Sequence, residues 1–534
     1  LQNVSLSNKP KPLAPHLKGC TMSSSLQSTL LMSCEMTDVL CDIERAGIKI
    51  DRQALIQLKE DFENEQEELR HKLRSMAQAA MGDTPINLDS PDDRSALFYS
   101  RKVNNKQVWK TLFNLGTEQR GATKKQKMRT RMKHNEFKHA VSDNTTVIRR
   151  TIGSQCMHCE GTGRVSFTRK DGSISKAKRI CSACNGKGIT YVDTGKTAGF
   201  KISPRGVADV AAGGFKTDKE TLEQRLDELS GEAKEFVAAY IRYSAIRTYL
   251  SNFVDGMFNN LDHDDFIHPE FMQCVTATGR LSSRNPNFQN MPRGSTFVIR
   301  KVVKSRWEGG KILEGDYSQL EFRVAGFLSS DESIYNDVKA GTDVHSYTAE
   351  IIGCSRQEAK AHTFKPLYGG VTGTDSQKRY YNAFKDKYAA VTEWQDEMQR
   401  QAVDRGYITL PSGRQYHFPG TKWTKWGTAT NRTAICNYPV QGFATGDLLP
   451  LALIHLSKLL RQAKMNSVIC NTVHDSIVMD VYPGEERKAI SMMAEAMLSI
   501  KDESHRRYGI HYDMPVDIEL KIGDNWLDTE LVEL

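Results

Sequence analysis

Two acidic residues far apart in the chain have the setting that metal-assisted chemistry needs. In KILEGDYSQLEFR (Lys311–Arg323), Asp316 stands at the end of what reads as a short buried strand, with Glu321 close behind it. Burying a charge is costly unless something pairs with it. An acid in that position therefore asks for a metal and for a partner acid from elsewhere. SVICNTVHDSIVMDVY supplies a candidate: β-rich runs at Ser467–Thr472 and Ile477–Tyr482 flank His474 and Asp475, the pattern of a hairpin with an acid at its tip. A strand-end Asp and a hairpin-tip Asp can converge on one point of a sheet. Two such carboxylates can bridge a pair of Mg²⁺ ions, which clamp the attacking and leaving oxygens of a phosphoryl displacement.

Two further constellations accompany the acids. SRQEAKAHTFKPLYGG spaces Arg356, Lys360, Phe364 and Tyr368 at every fourth residue, one slowly turning stripe of a helix. The cations suit a polyphosphate and the aromatics a base or sugar ring. Pro366 should kink or tighten the last turn, and Gly369–Gly370 should end the helix. CMHCEGTG and CSACNGKG hold Cys156, Cys159, Cys181 and Cys184 as two C-x₂-C pairs separated by 21 residues, each followed by x-G-x-G. Such knuckles let backbone N–H groups approach the sulfurs, and four thiolates make a closed tetrahedral Zn²⁺ site, structural and not catalytic.

The elements that must position these groups can be read more coarsely. The sequence has 534 residues, 39% of them apolar, so several subdomains are expected. The net charge of +8 is a mild excess whose clustering matters more than its sum. No run approaches the ~20 apolar residues of a membrane span, and the N-terminal residues lack the apolar core of a signal peptide. The remaining cysteines (Cys20, Cys34, Cys41, Cys274, Cys354, Cys436, Cys470) are irregularly spaced, which fits reduced thiols in a cytoplasm. Residues 1–26 read as a tail, and helical patterning runs from Leu26 to about Ala80, stopping once at Gly47. Residues 101–200 break that pattern with the basic run GATKKQKMRTRMKHNEFKH and the cysteine segment, and helical patterning resumes at Thr217. From Thr276 onward strands and helices alternate without a βαβ period, which predicts an α+β core.

Taken together in order, the motifs resemble those of the family A DNA polymerases, the class of bacterial DNA polymerase I, and a phage member in particular. TATGRLSSRNPNFQNMP, DYSQLEFR, RQEAKAHTFKPLYG, GYITLPSGRQYHFP, NYPVQGFATGD, VHDS and DIELKIGDNWLD follow one another in the family's order, and the matches cover about residues 27–100 and 217–534. The resemblance implies a right-hand fold: a thumb over 27–260 interrupted by the 101–200 insertion, a palm with an antiparallel sheet over 261–340 and 441–534, and helical fingers over 341–440. It implies primer extension on template DNA with dNTPs, with two Mg²⁺ held by Asp316, Asp475 and the Tyr317 carbonyl. Arg356 and Lys360 are expected on the triphosphate, Lys360 also as proton donor to the leaving group, and His345 and Arg300 near the β-phosphate. Tyr317, Ser318, Gln319, Glu321, Phe364 and Tyr368 are expected to line the nucleotide site, with Glu321 excluding a 2′-hydroxyl. Arg280, Asn287, Gln289 and Gln441 are expected to check minor-groove acceptors, which are nearly the same for all correct pairs, and His474 to support the primer end.

The sequence departs from the family at two points. Ser476 stands where the family usually has Glu, and Arg432 is one position off a family arginine and is assigned no role. Only about 26 residues precede the thumb-like helices, too few for the 3′–5′ exonuclease domain of polymerase I relatives, so no proofreading is expected from this chain. The cysteine knuckles locally resemble those of J-domain co-chaperones. The insertion is read either as a clamp on DNA or on a processivity partner, or as a folding staple beside a solvated basic loop. The chain is expected to be a monomer. Two other readings stand beside this one: a single-subunit RNA polymerase, which Glu321 opposes, and a non-catalytic zinc-ribbon nucleic-acid binder, which the intact acids and cations oppose.

Overall fold

The computed structural model describes residues 24–120, 123–170, 172–175, 177–294, 296–370 and 373–533. The proposed tail therefore lies, through residue 23, outside the described residues. The chain divides into two units, Leu1–Leu58 with Ser251–Leu534, and Lys59–Leu250.

The first unit is built on a five-stranded antiparallel sheet: β1 (Lys311–Tyr317), β2 (Val468–Val473), β3 (Ser476–Val481), β4 (Ile518–Gly523) and β5 (Thr529–Leu531), in the order β2-β3-β1-β4-β5. The central strand β1 pairs with β3 (Asp316 opposite Ser476) and with β4 (Asp316 opposite Glu519). Side chains alternate across a strand, and β1 uses both faces. Leu313, Gly315 and Tyr317 face the helix Glu486–Leu498. A Cβ on Gly315 would lie 2.6 Å from the sulfurs of Met493 and Met497, and Tyr317 Oη donates to Met497 O at 2.8 Å. Ile312, Glu314 and Asp316 take the opposite face, so Glu314 and Asp316 lie side by side.

A continuous helical run, Arg432–Gln462, packs through the same core. By length and composition alone it could cross a membrane, but no uninterrupted apolar run in it nears membrane-span length, and 83% of its most apolar window is buried. Its middle, Gly442–Leu448, is wound as a π-helix. A Cβ on Gly442 would fall 1.7 Å from Tyr416 Oη, so only glycine fits that turn. Within the π segment, the fully buried Asp447 accepts from Ser412 Oγ (2.6 Å) and from Arg414 Nε (3.0 Å) and Nη2 (2.8 Å).

The second unit gathers aromatic side chains, among them Phe98, Trp109, Phe113, Phe215 and Phe236, into its own core. From it rises a two-stranded ribbon, Arg149–Gln155 paired with Ile189–Thr197, whose far end leads directly into the four cysteines.

Removing one partner of a buried ion pair leaves the other charge uncompensated. Asp447→Asn should therefore destabilise the first unit by about 3 kcal/mol, read as a lower urea midpoint for loss of its near-UV signal.

Candidate active site and cysteine centre

The hairpin between β2 and β3 turns in two residues, His474 and Asp475, with Val473 opposite Ser476. His474 takes φ +57°, the left-handed conformation such tight turns require. The turn meets the end of β1, where the Tyr317 N–H donates to the Asp475 carbonyl (3.4 Å). Asp316 and Asp475 thus sit on adjoining strand ends, as the residue pattern requires of a shared site.

Gln289 braces this tip. Its Nε2 donates to Thr472 O (2.5 Å), and its Oε1 accepts from the His474 N–H (3.1 Å). Both ends of an amide expected to face DNA are therefore engaged with the hairpin. Asn287 accepts from the Gln289 N–H (3.1 Å) and holds the turn that presents it. His474 itself is exposed, and Gln441 is half-buried at the C-terminal end of the helix Arg432–Gln441.

The charges around the acids are only partly paired. Arg293 Nη1 donates to Asp316 Oδ2 (2.9 Å), and its Nη2 to Val473 O (3.4 Å). Arg280 pairs with Glu321. Arg300, buried with its guanidinium 4.0 Å from the Trp526 ring, pairs with Glu314 (3.2 Å). Ser476 Oγ also approaches Glu314 at 3.4 Å. Among the described residues, four carboxylates, Glu314, Asp316, Glu321 and Asp475, thus face three guanidinium groups. Burial first and Asp475 second push the Asp316 carboxyl up to about 7 against the pull of Arg293. Burial and then Asp475 also push Glu321 up to about 7, a rise that the Arg280 guanidinium opposes. A divalent cation would relieve this excess of negative charge, so the donor set fits one.

The stripe of every fourth residue is divided by the backbone. The α-helix Arg356–Thr363 ends before Phe364, and Pro366–Tyr368 tighten into a 3₁₀ turn closed by Gly369 at φ +73°. Arg356 and Lys360 are exposed on the helix, with Arg356 Nε bonded to Asp343 (2.6 Å), which holds that carboxyl well below the usual range. Phe364 and Tyr368 lie half-buried against the core. Phe364 stands 6.0 Å from Phe322, the neighbour of Glu321, and 5.3 Å from the His345 ring. His345 Nδ1 bonds Thr363 Oγ1 (2.9 Å), and burial lowers its pKa. Ser318 is tied by its N–H to Asp517 O (3.0 Å) and by its carbonyl to Arg323 Nε (2.7 Å). Gln319, at φ +53°, opens the helix Leu320–Ser329 that carries Glu321.

Sequence reasoning missed Arg293, Glu314 and Asp343. Glu314 was legible, since two residues before Asp316 on a strand means the same face. No local pattern marks Arg293 or Asp343, whose partners come from folding.

In the second unit, the Sγ atoms of Cys156, Cys159, Cys181 and Cys184 all lie within 4.8 Å of one another, buried. Cys156–Cys181 and Cys159–Cys184 are 3.8 and 3.6 Å apart, too far for disulfides. They are close to the ~3.8 Å that separates four thiolates each ~2.3 Å from a tetrahedral ion. The Gly163 and Gly188 N–H groups donate to Cys159 and Cys184 sulfurs, each at 3.2 Å. The two knuckles interlock: a Cβ on Gly163 would lie 2.2 Å from Gly186 O, and one on Gly188 2.2 Å from Gly161 O. This cluster fits a four-thiolate metal ion.

Comparison with known proteins agrees with this architecture. The family description "DNA polymerase family A" matches residues 206–528, and the chain belongs to that family. DNA polymerase I of Lactococcus lactis subsp. cremoris is 29% identical over 340 residues, covering 59% of this chain and 37% of that protein. DNA polymerase I of Streptococcus pneumoniae serotype 4 is 31% identical over 296 residues, covering 51% and 33%. The chain therefore spans little more than a third of the length of the curated relatives it matches. Among solved structures, the POL domain of Pol1 from M. smegmatis, in complex with DNA primer-template and dNTP, superposes with a TM-score of 0.61 at 20% identity. That match covers 92% of this chain and 70% of that one, and shows a shared fold.

The raised Asp316 pKa gives a pH test with a definite sign. Its contribution to stability is fully present below the ordinary carboxylate value of about 3.9 and is lost as pH rises through about 7. In metal-free protein, Asp316→Asn should match the parent near pH 4 and exceed it by up to ~2 kcal/mol at pH 8 after allowance for solvent screening. Urea midpoints across that range read the difference, and a gap independent of pH contradicts the assignment.

Proposed function

We propose that this chain is a template-directed DNA polymerase that extends a primer 3′-hydroxyl with dNTPs, in phage DNA replication. The observation that carries the reading is the meeting of Asp316 and Asp475 at adjoining strand ends, within an acid set that lacks a full complement of cations among the described residues. Membership of DNA polymerase family A supports it, as does a fold shared with a polymerase domain whose complex holds primer-template and dNTP. In this reading 261–340 and 441–534 form the palm, 341–440 the fingers and 27–260 the thumb, interrupted at 101–200.

Asp316, Asp475 and the Tyr317 carbonyl would hold the two Mg²⁺, which lower the pKa of the primer hydroxyl and neutralise the leaving pyrophosphate. The chain's own residues do the rest. Arg356 exchanges Asp343 for triphosphate oxygens; the primer 3′ oxygen, its proton lost to water, bonds the α-phosphorus as the bond to pyrophosphate breaks, and Lys360, one turn on, donates a proton to that leaving group. His345 and Arg300 orient the β-phosphate, although Arg300 must do so from its buried pairing with Glu314. Phe364 and Tyr368 offer their free faces to the new pair. Glu321, held by Arg280, crowds the sugar 2′ position and favours deoxyribose. Arg280, Asn287, Gln289, Gln441 and His474 lie along the primer-template path. The engaged amide of Gln289 makes it a brace for the catalytic hairpin first.

The cysteine cluster is read as a structural Zn²⁺ site (Cys156, Cys159, Cys181, Cys184) that stiffens the inserted ribbon for contact with DNA or a processivity partner. The exposed Ile152 and Val192, paired across the ribbon, support a contact role.

Two measurements test the reading. Primer extension with Mg²⁺ should proceed, and Asp475→Asn should slow it about a thousandfold, the several kcal/mol that a metal site contributes to the transition state. A protein inert towards primer-template and dNTPs refutes it. Replacing Cys181 and Cys184 with Ser should release the zinc and shorten the product made per binding event. Unchanged product length in a folded, zinc-free variant refutes the contact role.

A further inference from the structure

Between the strand Gln415–His417 and the helix Arg432–Gln441 the chain runs through Lys422-Trp423-Thr424-Lys425-Trp426. Trp423 is 46% and Trp426 76% exposed. An indole is among the most costly side chains to leave in water, and here two lie within one short loop between exposed lysines.

The exposure does not come from looseness. The Thr424 N–H donates to Thr428 O (2.8 Å), Gly427 N–H to Thr424 O (3.1 Å) and Thr430 N–H to Lys422 O (3.0 Å), and Trp423 bridges Ala429. The loop is pinned to the fold where the Ala429 N–H donates to Gln399 Oε1 (3.0 Å), on the helix Ala389–Asp404. The backbone is thus satisfied internally while the rings face outward. Lys425 Nζ stands 4.8 Å from the Trp426 ring centroid, so cation and π-face are presented together. The loop's root adjoins the turn after Tyr368: a Cβ on Gly369 would lie 3.4 Å from Arg432 Nε.

We propose that Trp423 and Trp426, with Lys422 and Lys425, form a stacking platform for unpaired bases of single-stranded nucleic acid, namely the template strand ahead of the nucleotide site. The inference rests on the polymerase reading. Every base has a π-face, so indole stacking tolerates any sequence, and lysines between the rings neutralise the phosphates. A protein-binding patch would want its apolar rings contiguous and its charges at the rim, whereas here they alternate along the chain.

The test uses the full chain, zinc-loaded and without dNTP, and one primer-template duplex with a template overhang of either two or twelve nucleotides. Affinities are read by fluorescence anisotropy, and the tryptophan emission is recorded alongside. The parent should bind the long overhang more tightly than the short one, with quenched tryptophan emission. Trp426→Ala should weaken the long overhang roughly five- to tenfold and leave the short one unchanged, and Trp423→Ala should act in the same direction. Both rings are exposed, so folding is not at stake, and Trp426→Phe should retain most of the affinity. If the alanine variants bind both overhangs as the parent does, the platform is wrong and the polymerase reading stands. If they weaken both overhangs equally, the rings touch duplex and the single-strand assignment is wrong. If the parent binds neither duplex, both readings fall.

Discussion

The register between β1 and β3 is the constraint on which the candidate site depends. It joins segments far apart in the chain through a backbone ladder and sets Asp316 opposite Ser476, one residue from Asp475. Because side chains alternate, a slip of one residue would turn Asp316 into the methionines that pack against Gly315 and lift Leu313 and Tyr317 onto the polar face. Apolar packing on one face of the strand therefore fixes the position of charge on the other. The two-residue turn at His474 leaves no slack in the hairpin, and Gln289 locks it from outside the sheet.

That register gathers like charges, and the rest of the first unit is arranged to tolerate them. Arg293, Arg280 and Arg300 each take one carboxylate, which keeps the fold intact with the acids close. None neutralises the whole set, and the Asp475 charge adds to burial in raising the Asp316 carboxyl. A fully neutralised cluster would be more stable and have little use for a divalent ion. The same compromise holds on the Arg356–Thr363 helix, where Asp343 occupies Arg356 through an exposed pair that a phosphate can displace.

The cysteine centre obeys a more local logic. Each C-x₂-C-x-G-x-G knuckle shapes its own sulfur environment, since the glycine N–H that contacts the sulfur lies four residues further along the chain. Folding has only to bring the two knuckles together, and the ribbon Arg149–Gln155 with Ile189–Thr197 does so by ordinary antiparallel pairing. This is why the centre was legible almost completely from spacing, whereas the arginines around the acids were not.

Much of the first unit was also legible. Alternation placed Asp316 at a strand end and the β-rich runs around Asp475 gave the hairpin, because both are short-range patterns of side-chain direction. The regular spacing from Arg356 to Tyr368 suggested one helical stripe, but Pro366 and Gly369 split it into an α-helix and a 3₁₀ turn, which sends the aromatics to the core and leaves the cations outside. The apolar helix Arg432–Gln462 is apolar because it is core. The sequence by itself thus determined which groups are chemically competent and the local geometry of each, since those depend on neighbours along the chain. Only the tertiary structure decided which guanidinium meets which carboxylate, and that Gln289 braces the hairpin, because electrostatic and hydrogen-bond partners are chosen by distance in space, which no interval of sequence encodes.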